Sequence, residues 1–110
     1  MSNKIRLTRD AERLALAMFK EYKSRVRQGV SKSDARYFGG PQQIQSFALD
    51  RSLSDVADLI WELESAGFAS VIPGDNLFSE CTLMPSCIAW AENRLLDGLK
   101  ETAGVLANLL

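Results

Sequence analysis

The sequence predicts a mainly α chain with a small β-hairpin, an α+β fold. Three observations carry that prediction. Apolar residues recur at spacings of three and four in long runs, the period of a half-buried helix. Each run opens on a capping residue or a proline: Thr8, Pro41, Ser52 and Pro85. Between the last two runs, two short β-prone stretches flank Pro73-Gly74-Asp75-Asn76, which reads as a turn between strands.

Taken in order, residues 1–7 read as a short arm or strand. Thr8 caps the first helix, with Asp10 and Glu12 in its first turn, where negative charge meets the positive helix end. Ala11, Leu14, Ala15, Met18, Phe19, Tyr22 and Val26 form its core stripe. Lys20, Lys23, Arg25 and Arg27 crowd its later turns, and Gly29 stops it. Residues 30–40 read as a loop with at most one helical turn. Pro41 opens a short helix, PQQIQSFAL, with Ile44, Phe47 and Ala48 inward.

Ser52 and Asp55 resemble a capping box, with Asp in place of Glu, on a helix ending at Ala66-Gly67. Leu53, Val56, Ala57, Ile60 and Leu63 are its buried stripe. The strand 68–72, the turn and the return strand 77–82 make the hairpin. From Pro85, Ile88, Ala91, Leu95, Leu99, Thr102, Leu106 and Leu109 step by three and four along a last helix. Its later part exceeds what a body of this size needs. An apolar stripe of that kind is commonly buried against a second copy, so Leu95, Leu99, Leu106 and Leu109 are the expected dimer contacts.

The chain of 110 residues fits one domain. A domain of that size buries roughly 65% of the surface of its unfolded chain, enough for one modest core. No apolar run is long enough to span a membrane, and charges interrupt the N-terminus where a signal peptide needs an apolar core. A cytoplasmic protein is expected. Cys81 and Cys87 are too few for a disulfide framework and suit a reducing compartment.

The net charge of −1 hides a split. Residues 1–51 hold 11 Lys/Arg against 5 Asp/Glu, whereas residues 52–110 hold 2 against 9. Such a split suits a polyanion-binding face, contact between copies, or two halves whose charges interleave on one surface.

The order helix, helix, helix, hairpin, helix, with ELESAGF before the hairpin and LMPSCIAW after it, resembles the winged helix-turn-helix family over residues 8–94. In that pattern the recognition helix ends in Leu, a few spacers, Gly and an aromatic, and the wing returns into a Leu-Thr-Pro-Lys-Gly-Ile-like helix start. Leu83, Pro85 and Ile88 match; Met84 stands for the capping Thr and Cys87 for the Gly. Among winged helices the small size and last helix look most like the prophage-associated YjcQ-like proteins of bacteria, whose function is unknown. The resemblance implies a winged-helix domain over residues 1–94, a dimerisation extension over 95–110, and DNA binding or transcription regulation.

The helix that should read DNA, Ser52–Ala66, argues the other way. Its outward set is expected to be Ser54, Asp55, Asp58, Leu59, Glu62 and Ser65, and it carries four acids with no Lys or Arg. Arginine and lysine are the commonest readers of guanine, and phosphate contact dominates DNA affinity. Candidate DNA contacts therefore lie earlier: Arg6, Arg9 and Arg13 in one cluster, Lys23, Arg25, Arg27, Lys32 and Arg36 in another, with Gln42 and Gln43 beside them. The same charges also read as a solvated face. The alternative function is a protein–protein module that dimerises and does not bind DNA.

Enzyme chemistry finds little support. The chain has no His, the commonest general base and metal ligand. Cys81 and Cys87 have no partners to complete a zinc site, and Gly39-Gly40-Pro41 lacks the Lys-Ser/Thr of a phosphate loop. No cofactor and no metal are expected. Trp61 and Trp90 lie off the main stripes, where core packing competes with a role at a protein contact.

Overall fold

A computed structural model describes residues 7–48, 50–74 and 78–96. These build a mainly helical α+β domain with a small three-stranded antiparallel sheet. Helix α1 spans Arg9–Arg27. The Thr8 side chain accepts a hydrogen bond from the Ala11 N–H at 3.2 Å, which satisfies one of the orphan donors of the first turn. At the other end, Gly29 sits at φ 98°, a left-handed conformation that costs glycine nothing sterically. Its N–H reaches the Val26 carbonyl, and the Val30 N–H reaches that of Arg25, both at 3.0 Å. This pairing closes the helix as a Schellman motif.

Helix α4, Leu53–Ser65, is built on the same plan. Ser52 caps it by accepting from the Asp55 N–H at 3.1 Å. Gly67, at φ 79°, ends it. The Gly67 N–H bonds the Glu64 carbonyl at 3.0 Å and the Phe68 N–H bonds that of Leu63 at 2.8 Å. Phe68 and Leu63 are both fully buried, which supplies the apolar contact that accompanies this cap.

The segment between α1 and α4 departs from the sequence expectation. Within 30–40 the one helical turn that the sequence allowed is α2, Lys32–Ala35, capped by Ser31, but it is followed by an unexpected strand β1, Tyr37–Gly39. Helix α3 is also shorter than the expected PQQIQSFAL: it covers Pro41–Gln45. Gly40 has no side chain to cap it, but the Gly40 N–H is held by Gln43 Oε1 at 3.0 Å.

Strands β2, Ala69–Ile72, and β3, Glu80–Leu83, form the hairpin, with Ala69 opposite Leu83 and Ile72 opposite Glu80. Strand β1 adds antiparallel to the free side of β3, so the order is β1-β3-β2 and β3 is central. Residues 85–96 form the last described helix, α5. Its entry bonds run from the Cys87 and Ile88 N–H groups to the Met84 carbonyl, and Met84 has no side-chain acceptor to add.

One core joins these elements. Leu14, Met18, Ile44, Val56, Ile60 and Leu63 meet from α1, α3 and α4, and Phe38, Phe68, Cys81 and Leu83 come from the sheet and its approach. Cys87 and Ala91 bring α5 onto it. Trp90 lies against Phe68 with ring centroids 5.2 Å apart, and Trp61 packs partly buried on the core edge. No polar side chain is buried among the described residues.

Candidate interaction surface

Helix α1 divides cleanly at 100° per residue. Ala11, Leu14, Ala15, Met18, Phe19 and Tyr22 face the core. On the opposite side Arg9, Arg13, Lys20, Lys23 and Arg27 are all exposed. Their separations of four, seven, three and four residues set them on one stripe, about 27 Å long at 1.5 Å per residue. Arg9 and Arg13 of one suggested cluster thus share a helix face with Lys23 and Arg27 of the other, without Arg25 and Arg36.

Those two arginines are held inside the fold. Arg25 pairs with Glu21 at 3.0 Å, donates to the carbonyls of Ala35 at 3.3 Å and Tyr37 at 2.7 Å, and lies 4.5 Å from the Phe38 ring centroid. It ties the end of α1 to α2 and β1. Arg36 is half-buried, with Nη1 3.5 Å from the Leu83 carbonyl. Arg51 pairs with Asp10 at 3.3 Å, and Arg94 pairs with Glu12 at 3.0 Å while lying over Trp90. Lys32 and Gln42 are exposed and apart from the α1 stripe along the chain; Gln43 is committed to Gly40. Arg6 lies outside the described residues, as do Leu99, Leu106 and Leu109.

Along the second half of the stripe runs an open groove of about 500 Å³. Leu16, Phe19 and Leu95 supply its apolar surface, and Lys20, Lys23 and Arg27 its charge. Leu95 and Leu96 are each about half exposed, at 51% and 50%. None of the three groove cations takes part in an ion pair among the described residues. Leu16 and Phe19 as groove residues were the part that sequence reasoning missed. The available signal was Leu16, an apolar residue set between Arg13 and Lys20 on the charged face.

Helix α4 shows the opposite charge. Ser54, Asp55, Asp58, Glu64 and Ser65 are exposed on it, with no cation. Glu62, expected to point outward, is instead half-buried and accepts from the Thr8 N–H at 2.7 Å and from Thr8 Oγ1 at 3.0 Å. Leu59 is likewise half-buried against the core. At the sheet, the exposed Tyr37 hydroxyl meets Glu80 at 3.2 Å, and this hydrogen bond raises its pKa above the ordinary tyrosine value.

The two thiols are unsuited to nucleophilic chemistry. Burial pushes both Cys81 and Cys87 up to about 12, so they are protonated at neutral pH. No group of three or more His, Cys, Asp or Glu side chains among the described residues is placed to hold a metal ion. No described helix is long and apolar enough to cross a membrane. Comparison with family models, with curated proteins and with solved structures gives no match.

Proposed function

We propose that this chain is a small winged-helix module for protein–protein contact, working as a homodimer, with the outer face of α1 and the end of α5 as its contact surface. The winged-helix reading is supported by the strand order β1-β3-β2 and by the position of α3 and α4 between β1 and the hairpin. One observation carries the functional reading: the exposed face of α4, the helix that this fold would offer to a DNA groove, has three acids and no base. A carboxylate at contact distance from a phosphate is repelled by about 1 kcal/mol even in water. A groove walled by Leu16, Phe19 and the half-exposed Leu95 is instead the kind of surface that proteins bury against one another.

A second reading is favoured by a separate observation. The five cations of the α1 stripe form a continuous line that could follow a nucleic-acid backbone without using α4. Fluorescence anisotropy with a nonspecific duplex, read across a salt series, separates the two. The contact-module reading expects no binding at low salt. Binding that weakens steeply with salt, and that is lost on replacing Arg9, Arg13 and Lys20 with Ala, would overturn it in favour of the DNA reading.

A further inference from the structure

We propose that the groove on the outer face of α1 is the seat for the last helix of a second copy of this chain, each copy offering both its groove and its helix. The inference rests on the dimer reading above and assigns that dimer a geometry. Leu95 carries it first. It is both a wall of the groove, with Leu16 and Phe19, and half exposed at the end of the described helix. A residue that belongs to the receiving surface and also projects from it suits a two-fold contact, in which the same patch is used by both subunits.

Length agrees. From Leu16 to Arg27 the groove follows eleven helical steps of α1, about 16 Å. Past the described residues, the sequence continues the apolar series Leu95, Leu99, Leu106 and Leu109. Leu99 and Leu109 are ten positions apart in sequence, and ten helical steps span about 15 Å.

Charge agrees as well. Lys20, Lys23 and Arg27 line the groove. Glu92 is exposed on α5, and the sequence after it supplies Asp97 and Glu101 against Lys100. Arg94, the other cation of that stretch, is already paired with Glu12. An acidic helix laid on a basic groove also gives the charge split of the two chain halves a use. The cations select the partner's acidic edge, and the leucines supply the burial.

The test is light scattering with native mass spectrometry on three proteins: the unaltered chain, a groove variant carrying K20E, K23E and R27E, and a helix variant carrying E92K, D97K and E101K. Circular dichroism checks that each is folded. The unaltered chain is expected to be a dimer, and each variant alone at least tenfold weaker in self-association. An equimolar mixture of the two variants is expected to form a heterodimer, because the acidic groove of the first meets the basic helix of the second, and the unaltered basic groove of the second meets the unaltered acidic helix of the first. A dimer in the unaltered chain that persists in the groove variant, or a mixture that yields no heterodimer, overturns the groove assignment and leaves the dimer reading standing. A monomeric unaltered chain overturns both, and is the result expected if the chain's own C-terminal residues fill the groove.

Discussion

Glu62 offers the sharpest test of how this domain is held together. Its carboxylate joins the middle of the chain to the first turn of α1, accepting from the Thr8 N–H at 2.7 Å and from Thr8 Oγ1 at 3.0 Å. The Thr8 oxygen at the same time accepts from the Ala11 N–H, so one hydroxyl serves the cap and the tie. Hydrogen bonds to a charged group contribute about 1.5–3 kcal/mol each when shielded, and less where water competes. Thr8 is exposed and Glu62 half-buried, so about 1 kcal/mol for each bond is the reasonable figure. Glu62→Ala should therefore cost about 2 kcal/mol, with a further few tenths for removing a negative charge from the helix N-terminus. At roughly 4 °C per kcal/mol for a domain near 100 residues, Tm should fall by about 8 °C. Urea unfolding of Glu62→Ala, Thr8→Ala and the double variant gives a cycle whose coupling should be about 1 kcal/mol. A loss below about 0.5 kcal/mol in Glu62→Ala, or additive effects in the cycle, would refute the tie.

Three further outcomes test other joints of the fold. Ser52→Ala should cost about 1 kcal/mol in urea unfolding, because the Asp55 N–H loses its acceptor, and Ser52→Gly should cost only a few tenths. Gly67→Ala should cost about 1–2 kcal/mol, through backbone strain alone: Gly67 is at φ 79° and an added Cβ would meet nothing within 4 Å. Gly67→Asn should recover part of that loss in the same melts. Cys81 and Cys87 should resist a thiol reagent at pH 8 in the native protein and react together on unfolding. Their pKa values are raised on folding, from 9.0 to about 12, so the unfolded chain releases protons first as pH rises. Stability should hold up to about pH 9 and fall between pH 9 and 12, and equilibrium unfolding across that range checks the sign.

Local chemistry was the part of this fold that the sequence made legible. Thr8, Ser52, Gly29 and Gly67 announce helix ends because capping is decided within four residues. The α1 core stripe is legible for the same reason, as a fixed angular step. Strand β1 was not: Tyr37-Phe38-Gly39 is too short to show alternation, and its partner Thr82 lies 45 residues away. Glu62 looked like an outward acid because its partner Thr8 is 54 residues distant. Among the candidate contact residues, Arg25 resembled its neighbours in sequence. What separates it is a 4.5 Å approach to the Phe38 ring and two carbonyls that only the folded chain brings within reach. Arg9 and Arg27, far apart in sequence, share a face through helical geometry that a reading by proximity does not see.

The central place of β3 has a consequence for how the domain yields to stress. The hairpin cannot swing away as an independent arm, since lifting β3 also breaks its ladder with β1. Strand β1 is in turn gripped at the Tyr37 carbonyl by Arg25, near the end of α1. Opening the hairpin therefore also disturbs β1 and its tie to the long helix. The Arg25 guanidinium thus adds a polar link between α1 and the sheet to the core that α1 and β3 already share.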